Sequence, residues 1–366
     1  MRDTERPRVG LVLGAGGVLG GAWLVGALHA IATETGWDPG SADTVVGTSA
    51  GSMVGALLAC GVPPWFMVAH SAGEDIDVPD ASGGSAATAD RSAGAVYRLE
   101  RGIPPIGPGS LKLGLTTLVR PLRYPPAAVL AGWLPDGPIS TQPLKDTVRR
   151  ACSESWAPHP GFWSMALDYG TGRRVAFGRA DAPPAELPDA VAASCCIPGF
   201  YRSVRIGGRR YVDGGVRSTS NLDVLRDEGL DLVIALNPTS SLADGAARSI
   251  GGLVSARWRA ASGRRLGSEA KVLRDRGVDV ALIQPTEHDL EVMGANLMSS
   301  KRRHEVVTTA IRTVTEHLRS TPLGDRLAAL PAGIPEAVRR PPGPPSEWPD
   351  FESAARERWA ARPLAA

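Results

Sequence analysis

"VVGTSAGSMVGALLACG", residues 45–61, is the stretch on which the reading turns. Ser49 stands between Gly47 and Gly51, two residues from each, with an apolar run before it and small residues at helical spacing after it. That is G-x-S-x-G in a strand–turn–helix setting, where a serine is held on a tight bend as a nucleophile. The glycines permit the bend and the close approach of other backbone. A serine at a helix N-terminus also meets a dipole that favours negative charge on an attacking oxygen. The same five residues equally fit a serine that only turns the chain or caps a helix.

A second glycine loop precedes the first. Gly14-Ala15-Gly16-Gly17-Val18-Leu19-Gly20 follows a short apolar run over residues 9–13 and opens a helical pattern over 18–34. As a dinucleotide fingerprint it fails, because the third small residue falls on Leu19, and the next strand ends in the serine turn instead of an acid for a ribose. As an oxyanion hole it fits: the N–H groups of Gly16 and Gly17 would face the charge of a tetrahedral intermediate. A glycine turn that serves only helix packing is the remaining alternative.

A serine nucleophile needs a base. None of His29, His70, His159, His288, His304 and His317 lies in a recognisable local signature, although His288 would satisfy the chain order serine, acid, histidine. Asp213, in "GGRRYVDGGVRSTSNLDVL", is delivered by a strand-like run to the Gly214-Gly215 bend. A carboxylate at its ordinary pKa near ~3.9 is a weak base for serine, but burial raises it. Asp-Gly-Gly is also an ordinary turn.

Three blocks, "GLVLGAGGVLGGAWLVGAL", "VVGTSAGSMVGALLA" and "AASCCIPGFYRSVRIGGRRYVDGGVRSTSNLDVL", together resemble the patatin-like phospholipase family in order and spacing. The resemblance implies a three-layer α/β/α sandwich with a mostly parallel central sheet and an inserted cap. It implies Ser49 as nucleophile and Asp213 as its partner in a Ser-Asp dyad, so that no histidine is needed. Gly16 and Gly17 would form the oxyanion hole, with the N–H of Ala50 added. The implied activity is cleavage of lipid carboxyl esters, with no metal and no organic cofactor. An acyltransferase using the same dyad, or a non-catalytic lipid-binding protein of the same fold, are the alternatives. Two positions depart from the family pattern. Leu19 stands where the loop usually carries Arg or Lys, and Ala15 where glycine is common; the backbone donors survive both changes, but the lost positive side chain at 19 makes a neutral ester substrate more plausible.

The rest of the chain fits an α/β sheet with helices on both faces. Residues 231–237 and 278–285 read as central parallel strands, and hairpins are expected around residues 170–172 and at Gly207-Gly208. Helical patterns cover 220–228, 249–276 and 301–319. The basic residues of 257–276, Arg259 among them, read as a solvated helix face. The hydrolase domain is placed at 7–325, with a cap over 62–145 inside it, a loop at 79–95 and a Pro-rich flexible tail over 326–366 that turns helical near 354–361. Leucines interleaved with Lys112, Arg120 and Arg123 in residues 109–134 suggest transient contact with a membrane surface.

Of 366 residues, 43% are apolar and 21% charged, and the net charge of +2 offers no field for nucleic acid. The four cysteines lack zinc spacing and suggest a reducing, cytoplasmic setting. No signal peptide or membrane span is read from the sequence.

Overall fold

The computed structural model describes residues 6–72, 97–100, 107–119, 126–241, 250–341 and 350–361. Among them eight strands form one mixed sheet. β1 (Val9–Leu13), β2 (Thr44–Thr48) and β3 (Phe162–Asp168) are buried at every position. β4 (Arg174–Phe177), β5 (Val204–Ile206) and β6 (Arg209–Asp213) are antiparallel additions, and β7 (Leu232–Leu236) and β8 (Asp279–Ile283) complete the parallel part. The order is β5-β6-β3-β2-β1-β7-β8, with β4 on β3. Continuous apolar runs suit strands covered on both faces.

Alternate side chains along each strand feed opposite layers. Leu11, Leu13, Val45, Phe162 and Tyr211 face one core, shared with α1 (Gly17–Thr35), α2 (Ala50–Ala59), α6 (Gln142–Ala151), α7 (Leu187–Ser194) and α10 (Arg303–Ser320). Val12, Val46, Met165 and Val233 face the other, covered by α8 (Ile250–Arg274). The three-layer sandwich is therefore present. α3 (Pro64–Ala72), α4 (Leu111–Val119) and α5 (Pro126–Trp133) belong to the expected cap. There Leu113 of α4 closes a small third core with Leu167, Tyr169 and Val212. A Cβ on Gly132 would come within 2.6 Å of the Gly114 backbone, so the two glycines let α4 and α5 touch. The expected loop at 79–95, and Arg120 and Arg123, lie outside the described residues.

α1 is the one described helix long and apolar enough to cross a membrane, yet most of it is buried between the sheet and α10. It is the core helix that its all-round apolar pattern predicts.

Four expectations change. Residues 220–228 form only a single 3-10 turn, Leu222–Leu225, because Asn221 takes a left-handed φ of 51° and Leu222 N–H donates to the Glu269 carboxylate instead of a helical carbonyl. β8 is an edge strand with half-buried positions, whereas β7 is interior. Arg259 is buried, with Nη1 on the Pro238 carbonyl at 3.2 Å, because the turn after β7 folds over it. The tail has its expected helix near 354–361 but is packed, not flexible, where it is described. After α9 (Glu287–Met293) and α10, α11 (Pro322–Ala328), α12 (Pro335–Val338) and α13 (Phe351–Ala360) pack onto the base of the sandwich, burying Leu327, Leu330, Val338 and Ala355. Arg358 of α13 donates to Asp38, 1% exposed, at 2.5 Å. The Arg358–Asp38 pair spans 320 positions of sequence, so no local pattern reports it.

Candidate active site

The register around β3 brings the predicted residues together. One edge of β3 carries β4, which pairs with Ser164, Met165 and Ala166. On the opposite edge β2 pairs up to Thr48 opposite Met165, and β6 arrives antiparallel with Asp213 opposite Ala166. Two strands thus meet end to end on a single edge. The residue after one end is Ser49, and the last residue of the other is Asp213.

Ser49 has φ 54° and ψ −120°, and Asn221 is the only other non-glycine residue with positive φ among those described. Such a conformation costs a side-chain-bearing residue on the order of 1–3 kcal/mol and persists only where the surroundings enforce it. They do. A Cβ on Gly47 would collide with the Ser52 backbone, and one on Gly51 with the Leu13 carbonyl, so the turn closes tightly only with glycine at both places. Ser49 N–H donates to Ser194 Oγ at 2.9 Å, and Ser194 donates on to the Met165 carbonyl at 2.6 Å. The Cys195 thiol donates to the Ser49 carbonyl at 3.1 Å. Burial, with the nearby Asp213 charge, pushes that thiol well above its usual range, which keeps it a neutral donor. Ser194 and Cys195 were not singled out from sequence as site residues. At 145 and 146 positions from Ser49, nothing local marks their role.

Asp213 is buried, and Gly215 N–H donates to its Oδ1 at 2.7 Å. Burial raises its pKa to about 6, against the opposing pull of hydrogen bonds from the Ser49 hydroxyl and from Gly215. No histidine is among the groups acting on it. His288 is on α9, its exposed ring 3.8 Å from Glu291, and buried His159 bonds the Ala42 carbonyl. Gly214 and Gly215 are needed as glycines for space: a Cβ on the first would sit 2.5 Å from the Met165 carbonyl, one on the second 2.9 Å from the Asp213 carboxylate.

The first glycine loop lies against both. A Cβ on Gly215 would be 3.3 Å from that of Ala15, and one on Gly51 would be 2.8 Å from the Gly14 carbonyl. The loop is pinned by Gly14 N–H to the Leu236 carbonyl at 2.9 Å and Ala15 N–H to the Thr219 carbonyl at 2.8 Å. Gly17, at φ 60°, opens α1, as Ala50 opens α2, and first-turn N–H groups have no intrahelical acceptor. Among the described residues neither these two nor Gly16 N–H meets a backbone carbonyl. The Leu19 side chain is buried in the core.

Fold and site together define an α/β protein with a strained serine at a strand-to-helix turn and a buried carboxylate at the adjoining strand end. Residues 11–226 match the family model for patatin-like phospholipase. The chain belongs to that family, a family of lipid acyl hydrolases.

Proposed function

We propose that the protein is a serine hydrolase of lipid carboxyl esters working through Ser49 and Asp213. The observation that carries this reading is the meeting of β2 and β6 on one edge of β3, which sets the strained Ser49 beside the buried carboxyl of Asp213, raised to about 6. At neutral pH it is ionised, yet far more basic than an exposed aspartate. Ser49 Oγ attacks the ester carbonyl as its proton passes to Asp213. The N–H groups of Gly16, Gly17 and Ala50 hold the oxyanion. Collapse of the tetrahedral intermediate expels the alcohol or lysolipid, which takes the proton from Asp213 and leaves an acyl-Ser49 ester. Water then attacks that ester as its proton passes to Asp213, the fatty acid is released, and Ser49 Oγ takes the proton back from Asp213.

The buried Leu19 leaves no cation beside the oxyanion loop at that position, which supports acceptance of neutral esters. Labelling with a fluorophosphonate tests the dyad. The wild type is expected to label, Ser49→Ala to stay unlabelled and Asp213→Asn to label far more slowly. A folded wild type that resists labelling, even with detergent or vesicles present, would overturn the catalytic reading.

A further inference from the structure

β3 does not stop at the level of Asp213. It runs two residues past Ala166, about 7 Å, to Asp168, and the turn that follows forms one wall of a cavity of about 330 Å³. The other walls are Lys112 of α4 and Arg205, Arg209 and Arg210 of the β5–β6 hairpin. Four cations therefore line a space that holds one carboxylate, and that carboxylate is already occupied. Asp168 accepts from Gly170 and Thr171 N–H at 2.8 and 3.0 Å and from Arg209 at 2.9 Å. Among the described residues Arg210 is held by neutral groups only, donating to the Gly109 carbonyl at 2.6 Å with its guanidinium 5.3 Å from the centre of the Tyr169 ring. A carbonyl and a ring orient the arginine without neutralising it. Lys112 and Arg205 have no carboxylate partner among the described residues. An open cavity with about three uncompensated charges, one of them a fixed guanidinium, suits an anion that offers several oxygens, such as a phosphodiester.

The surroundings say where that phosphodiester comes from. Eight large apolar side chains are exposed among the described residues, and all but Trp258 lie between positions 97 and 134. α4 buries Leu113 but turns Leu111 and Leu115 outward, with Lys112 on the same helix. Beside it Leu130, Trp133 and Leu134 of the α5 region are exposed as well, Leu130 by 64%. A site for free phosphate has no use for leucines in water, whereas an apolar patch beside fixed cations is the composition of an interfacial lipid-binding surface. The cavity is also at the strand end that carries Ser49.

We propose that Lys112, Arg205, Arg209 and Arg210, with the exposed leucines and Trp133 of α4–α5, form a docking face for an anionic phospholipid bilayer. The cavity takes a headgroup phosphate, and the apolar side chains enter the acyl boundary. This rests on the lipid-hydrolase reading but is measured without it. The test uses the full chain carrying Ser49→Ala, so that no lipid is consumed, in co-sedimentation with vesicles of phosphatidylcholine alone or of equal phosphatidylcholine and phosphatidylglycerol. Selective binding to the anionic vesicles is expected, weakening between about 0.1 M and about 0.5 M salt as exposed charges are screened. Lys112→Gln with Arg205→Gln is expected to weaken it about 30-fold, at about 1 kcal/mol per cation near an anionic surface, with an unchanged melting temperature. Leu111→Ser with Leu115→Ser is expected to weaken it at both salt concentrations.

Equal binding to both vesicle types, binding to neither, or indifference to the paired Gln variant would overturn the proposal. So would displacement by inorganic phosphate at matched ionic strength, which would mark a free-anion site. If Ser49 labels with fluorophosphonate and the vesicles are not bound, only this proposal falls. If the vesicles are bound and Ser49 never labels, only the catalytic reading falls.

Discussion

Replacing Asp213 with Asn is expected to stabilise the protein at pH 8 while abolishing hydrolysis. The carboxyl is raised from 3.8 to about 6 because burial outweighs the hydrogen bonds from Ser49 and Gly215. A raised carboxyl binds its proton more tightly in the folded state than in the unfolded chain. Its contribution to stability is therefore full below pH ~4 and is lost as pH rises through about 6. Two pKa units at about 1.36 kcal/mol each give about 3 kcal/mol of destabilisation carried by the ionised carboxylate at pH 8. Asparagine keeps an oxygen for the Gly215 N–H and carries no charge, so it escapes that term. At about 2 °C per kcal/mol for a chain of this size or somewhat smaller, the variant melts up to about 6 °C higher at pH 8. Urea unfolding of wild type and variant at pH 8 and pH 4 measures the difference. It is expected near the full value at the higher pH and close to zero at the lower. A variant no more stable than wild type at pH 8, or equally stabilised at both values, would refute the account of Asp213 as a charge kept ionised against its surroundings.

The same carboxyl sets the acid limb of catalysis. kcat/KM for a soluble short-chain ester is expected to rise with pH through about 6 and then level, as Asp213 ionises; a plateau reaching down to pH 4.5 would remove Asp213 as base. At Ser49, glycine tolerates φ 54° where alanine does not, so Ser49→Gly is expected to be more stable than Ser49→Ala by about 1–2 kcal/mol in denaturant melts. Ser194→Ala leaves the Ser49 N–H and the Met165 carbonyl without their partner, which is expected to cost about 1–3 kcal/mol. As the turn loosens, kcat should fall with KM for the soluble ester little changed. Arg358→Met strands the buried Asp38 carboxylate and is expected to cost about 3–5 kcal/mol in a urea melt. A change under 1 kcal/mol would mean that α13 does not clamp the base of the fold.

Both glycine turns were legible in sequence because their geometry is local. A short apolar run, a glycine bend and a helix of small residues leave the chain little choice at 9–20 or 44–59, and β1, α1, β2 and α2 form there. Continuous apolar runs also announced β7 and β8. Their places did not follow, because an apolar run reads alike in the interior of a sheet and at its edge, where β8 lies. The stretch 220–228 misled for a related reason. Its spacing is helical, but a buried Glu269, 47 positions from Leu222, captures that residue's N–H and stops the helix.

By itself the sequence determined a strand–turn–helix around Ser49, a second around Gly16-Gly17, and an aspartate at a strand end before Gly214-Gly215. Each depends on residues within a few positions of one another, where steric rules act on the chain directly. What only the tertiary structure decided is that β2 and β6 end against each other on one edge of β3, which brings Ser49 and Asp213 together. Tertiary structure also decided that Asp213 is buried enough to be raised to about 6, that Ser194 holds the serine turn, and that four cations of α4 and the β5–β6 hairpin share one cavity. Burial, and proximity across a hundred or more positions, are properties of the packed sheet, and no local pattern encodes them.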